Sequence, residues 1–166
     1  MLLNVLSVIH NATTLFFGVY VSAAFLGVRM KRKNIISLLL FSVTVGIFYV
    51  MSYLLFGVDG TEKIYPFIIH LPLAIFLSLR FGYRPAPSAL SVLIGFLCCQ
   101  ISNWAGLAAL NITDSEEIYY GVRIAVTAVV FVILIRYVSD TTAALLQKPT
   151  KAILILGLMP FVYYLF

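Results

Sequence analysis

At 166 residues the chain is long enough for one domain and too short for two of ordinary size. Hydrophobic residues make up 63% of it and charged residues 10%, with a mean hydropathy of +1.08, and so few charges could not cover a water-soluble surface. The net charge of +5 would suggest nucleic acid in a soluble protein; here the basic residues fall where membrane topology needs them, so no nucleic-acid partner is expected.

The apolar pattern predicts an all-α, polytopic transmembrane bundle of about six spans, since a helix needs about 20 residues to cross about 30 Å of hydrocarbon. Span one covers about Val5 to Val28. It lacks a basic segment before it and carries one after it, so it reads as a retained span and not as a signal peptide. Span two covers about Ile35 to Phe56. Span three, about Ile64 to Leu79, is short and contains Pro66 and Pro72, which predict a kinked or broken helix and mark a conformational element. Pro72 frees the carbonyl of Ile68, four residues back, for some other donor. Span four covers about Ala86 to Leu110 and span five about Ile118 to Tyr137. Span six begins at Ala152, and its 15 residues to Phe166 measure about 22 Å. It closes on Tyr163-Tyr164-Leu165-Phe166, which reads either as an interfacial anchor or as the point where a longer protein was cut.

The gaps between spans alternate in sign. Arg29, Lys31, Arg32 and Lys33 fill the first, Arg80 and Arg84 the third, and Arg136, Lys148 and Lys151 the fifth. Asp59, Glu62, Asp114, Glu116 and Glu117 fill the others, with only Lys63 among them. Short basic loops stay in the cytoplasm, so the N-terminus is expected outside. The acidic loops Gly57–Lys63 and Asn111–Glu117 are too short to form an extracellular domain.

Polar side chains are costly in hydrocarbon, which makes their positions the best clues to a site. His70 in span three, Gln100 and Asn103 with Trp104 beside them in span four, and Arg123 in span five all fall in the outer half of the bilayer under this topology. Gln100 shares a helix face with Asn103 and with Trp104. These five are the candidate ligand-binding residues, with Asp114, Glu116 or Glu117 as rim partners for Arg123. A packing role is the alternative: an Arg near a helix end snorkels to the headgroups, and Gln or Asn bonds between helices. His10 in span one has a depth similar to that of His70, but no acidic intramembrane ligand accompanies them and no metal site is expected. Cys98 and Cys99 lie about 100° apart on a helix, which makes neither a disulfide framework nor a shared metal site.

No span contains Asp or Glu, and no phosphate loop, HExxH or GxSxG is present, so catalysis by this chain is not expected. Ala23 to Gly27, Ser42 to Gly46 and Ala105 to Ala109 have the spacing of helix-packing faces.

Tyr65-Pro66-Phe67-Ile68-Ile69-His70-Leu71-Pro72, followed by Cys98-Cys99-Gln100 and Trp104-Ala105-Gly106, resembles the membrane region of bacterial GHKL-type sensor histidine kinases. Arg123-Ile124, Arg136-Tyr137-Val138 and Met159-Pro160-Phe161-Val162-Tyr163-Tyr164-Leu165-Phe166 fit the same pattern, so the resemblance runs from about Tyr65 onward. The chain departs from it at Ser102 and Asn103, where a Pro and a basic residue are expected, which puts a charge-based ligand contact at position 103 in question. The resemblance implies a signal-sensing module in the bacterial cytoplasmic membrane, continuing past Phe166 into a further span and a cytoplasmic kinase region. Six spans from an outside N-terminus also leave the chain outside, so an odd number is required to reach ATP. The family implies ATP and Mg2+ in that kinase region only, a homodimer formed through it, and a response regulator as partner. In this chain no cofactor is expected, and its partners are the lipid bilayer and an unidentified signal ligand. The alternatives are a small six-span substrate-binding subunit of a vitamin-type transporter, whose N-terminus is expected in the cytoplasm, and a non-catalytic membrane scaffold.

Overall fold

Gly and Pro punctuate the chain into helices. The computed structural model describes residues 2–148 and Val162, with the backbone alone at Asn4, Val58, Asp59 and Glu62. Helix α1 is Leu2–Phe25, α2 Arg32–Tyr65, α3 Leu71–Phe81, α4 Pro85–Thr113, α5 Glu116–Ile133 and α6 Ser139–Leu146. Single π-helical turns, Pro66–His70 and Leu134–Val138, join α2 to α3 and α5 to α6 without a loop. The described residues contain no strand. Five stretches are long and apolar enough to cross a membrane: Val5–Phe25, Arg32–Gly57, Lys63–Phe81, Pro85–Thr113 and Glu116–Leu146. The expected sixth span lies, apart from Val162, outside the described residues.

Each boundary has a local cause. Gly27, with φ +81°, ends α1 in a Schellman motif: its N–H bonds the Ala24 carbonyl at 2.8 Å and the Val28 N–H bonds that of Ala23 at 3.0 Å. Gly82, also left-handed at φ +72°, ends α3. Pro85 supplies a fixed φ at the start of α4. Ser115 caps α5 by accepting from the Ile118 N–H, and Glu116 and Glu117 complement the helix dipole in its first turn.

Two expected boundaries shift, and the distortion expected from the prolines takes a specific form. The acidic gap Gly57–Lys63 is helical, broken only at Gly57, whose φ 69° and ψ −170° lie in a region nearly reserved for glycine. The distortion expected in span three is a widened turn that begins at Pro66 and ends two residues before Pro72. A proline crowds the carbonyl four residues back, and the widened Pro66–His70 turn, in which the Leu71 N–H bonds the Pro66 carbonyl, relieves that clash. Span five runs on past Tyr137 to Leu146, because the polar Ser139-Asp140-Thr141-Thr142 contains no helix breaker.

α1 is the centre of the bundle. It packs against α2, α4, α5 and α6, and Val19, Val21, Ala23, Phe25 and Leu26 are essentially sealed. Lipid tails offer helices no hydrophobic drive to associate, so close backbone approach has to do that work. Gly18 and Ser22 of α1 provide it against Phe96 and Gly95 of α4: a Cβ on Gly95 would lie 2.7 Å from Ser22 Oγ and 3.3 Å from its backbone nitrogen. The Ser42–Gly46 face of α2 meets α1 at Leu15. α3 packs on α4, and α4 packs most extensively on α5. The outer face of α2, with Leu40, Leu54 and Leu55, is exposed to the lipid, as befits an edge helix. Hydroxyls are tolerated by bonding back to carbonyls of their own helix, as in Ser22 to Gly18, Ser42 to Leu38 and Thr127 to Arg123.

Candidate functional site

The five candidate residues fall into separate neighbourhoods. His70 ends the first π turn and is buried, its ring 4.4 Å from that of Phe96 and 5.2 Å edge-on from that of Tyr65, measured between centroids. Phe96 in turn lies against Gly18. A packed row therefore runs from the π turn flanked by Pro66 and Pro72, across α4, to the central helix.

Gln100 and Asn103 are half-buried and bond each other, Asn103 Nδ2 donating to Gln100 Oε1 at 3.3 Å. That is the i, i+3 geometry expected on one helix face. No described hydrogen bond joins the pair to Arg123 or to a neighbouring helix. Trp104 is 65% exposed and lies on the lipid side of α4.

Arg123 is the most unusual of the five. Its stem passes between α4 and α5, over Gly106: a Cβ at Gly106 would lie 2.4 Å from Arg123 Cγ and 2.9 Å from Cδ. The glycine makes the seat. The guanidinium reaches back one turn, donating from Nη1 to the Tyr119 hydroxyl and lying 4.9 Å from the centroid of that ring. The side chain points toward the near end of α5, as snorkelling requires, but the route runs between helices and not along the lipid face. Nε is sealed from solvent and has no hydrogen-bond partner. Glu116, Glu117 and Asp114, the expected rim partners, are exposed, and none is among the groups that bond Arg123.

Although expected at the depth of His70, His10 lies in a different neighbourhood. This α1 residue is 3% exposed and packs 6.0 Å from the Tyr120 ring, which itself lies 5.0 Å from the Tyr119 ring that carries the Arg123 guanidinium, measured between centroids. Its Nε2 lies 3.5 Å from Thr14 Oγ1, and its Nδ1 has no partner. His10, Gly106, Tyr119 and Tyr120 thus belong to the surroundings of Arg123, although sequence reasoning singled out none of them for that role. His10 and Arg123 each stand about five residues into their spans, and that similar depth was the available signal.

At the basic end, a cavity of about 140 Å³ is lined by Leu26, Tyr83, Arg84, Pro87, Leu146 and Gln147. Burial pushes the Tyr83 phenol above its ordinary value. Comparison of the chain with protein-family models, with curated proteins and with solved structures finds no match.

Proposed function

We propose that this chain is the membrane-embedded signal-sensing module of a bacterial two-component sensor histidine kinase, with its N-terminus outside the cytoplasmic membrane. The observation that carries the proposal is Arg123: a permanent cation held between α4 and α5 near the acidic α4–α5 turn, with no described carboxylate to balance it. A charge kept there at a cost is a receptor group. A signal that favours one packing of the bundle shifts its population by the difference in affinity, typically about 1–3 kcal/mol. α5 continues through its π turn into α6, which packs on the C-terminal end of α1, so a shift at Arg123 has a continuous helix to follow. ATP, Mg2+, the dimer contact and the response regulator belong to the kinase region that the resemblance implies beyond this chain.

An antibody to the Asn111–Glu117 segment tests the reading directly. The native product should run well above 18.5 kDa and autophosphorylate, and apolar substitution of Gln100 and Arg123 should lock that output. A native product at 18.5 kDa, or output indifferent to both substitutions, overturns it. Labelling an N-terminal tag from outside intact cells should succeed; protection of the tag would favour the transporter-subunit orientation.

A further inference from the structure

We infer that Arg123 and His10 form the binding site for an anionic oxygen group, a carboxylate or phosphate, presented at the outer leaflet; this deepens the sensor reading and rests on it. Three observations converge. Arg123 has five N–H donors in a planar fork, and only Nη1 has a described acceptor, the Tyr119 hydroxyl. The unsatisfied Nε belongs to the Nε–Nη2 edge, which is the side that receives two oxygens of one anion in parallel. From the opposite helix, His10 brings a second buried nitrogen with no partner, Nδ1, and its ring is linked to the guanidinium through the adjoining rings of Tyr120 and Tyr119.

Holding a half-buried arginine between two helices is unfavourable unless something of opposite sign joins it. The protein could have supplied a carboxylate, since three lie at this end of the bundle, yet Asp114, Glu116 and Glu117 stay exposed in and beside the α4–α5 turn. Glu117 stands six residues before Arg123, about 9 Å along the helix axis, and no described bond joins the two. The stem is meanwhile held in place by a glycine that admits it and by the Tyr119 ring beneath the guanidinium. Such a positioned, half-satisfied fork is what recognition of a planar anion requires. The group can belong to an anionic lipid headgroup or to a free small anion, because both present the same oxygens.

The test uses the purified chain in lipid nanodiscs of phosphatidylcholine. Melting temperature is read with inorganic phosphate, with acetate, or with phosphatidylglycerol replacing half the lipid. Protein binding an anion only when folded melts higher. A rise with phosphate or acetate in phosphatidylcholine supports the proposal with a free anion as source; a rise with phosphatidylglycerol alone supports it with a headgroup. In either case R123Q should weaken half-saturation by about thirtyfold or more, H10F should weaken it to a smaller degree, and R84Q, at the basic end, should leave it unchanged. R123K, which keeps the charge but not the fork, should bind more weakly than wild type while folding normally. No rise with any probe, or a rise that R84Q removes and R123Q does not, overturns the proposal. Loss of the binding result with locked output in the native product would leave the sensor reading standing with a different ligand. Anion binding by a native product without kinase activity would do the reverse.

Discussion

One methyl group at position 18 tests the junction on which the bundle is built. In G18A the new Cβ lands 2.2 Å from Phe96 Cζ and 2.5 and 2.6 Å from Cε1 and Cε2. Ordinary carbon contact begins near about 3.5 Å, so the ring must withdraw by about 1.3 Å. It has little room: Phe96 is 4% exposed, with the His70 ring 4.4 Å and the Tyr65 ring 6.3 Å away between centroids. Overpacking of this kind costs about 1–3 kcal/mol, while alanine in place of a helical glycine gains about 1 kcal/mol. The net effect is a loss of up to about 2 kcal/mol. G121A is the matched control, since a Cβ there meets nothing within 4 Å and only the gain of about 0.5–1 kcal/mol applies. The two variants should therefore melt several degrees apart, at about 2–4 °C per kcal/mol for a chain of this size. Thermal loss of the helical circular-dichroism signal in a mild detergent measures the difference. G18A melting at or above G121A would refute the close approach of α1 and α4 through Phe96.

Two further outcomes follow from single residues. G57A has open space for its methyl group but a backbone at φ 69°, so it should lose about 1–3 kcal/mol, and replacement of Gly57 by D-alanine should not; melting of the semisynthetic pair checks this. Trp104 is the sole tryptophan and faces lipid, so its fluorescence should be quenched by brominated acyl chains and not by aqueous iodide, and W104F should leave anion binding intact.

The membrane class was legible because charge is so sparse and so regularly placed. Lys31, Arg32 and Lys33 stand at the start of α2, and Arg80 and Arg84 frame the α3–α4 turn, so the signs of the gaps alone marked these helix ends. The gaps misled where polarity and helix-breaking part company. Ser139 to Thr142 are polar but helix-compatible, and α6 forms through them; Gly57 is a true break inside an otherwise helical stretch. The site was legible residue by residue and not as a constellation. Depth placed His70, Gln100 and Arg123 in the same half of the bilayer, but depth says nothing of azimuth. The central position of α1, which packs His10 against Tyr120 and Gly18 against Phe96, depends on small residues whose partner helix the spacing alone does not name.

The two π turns differ in how they are held, and that difference bears on which lengths of chain this fold accepts. In the fifth crossing the buried residues Leu134, Ser139 and Ala143 are spaced by five and then by four, so one surplus residue is absorbed between 134 and 138. Deleting a residue there would close an ordinary α-turn and leave both flanking faces aligned. The same deletion elsewhere in the crossing would rotate everything beyond it by about 100° and shift it about 1.5 Å. At Pro66–His70 the surplus residue is locked in, because Pro72 needs the widened turn before it. A scan of single-residue deletions should thus find one tolerant site near Arg136, at the basic end, and none beside His70.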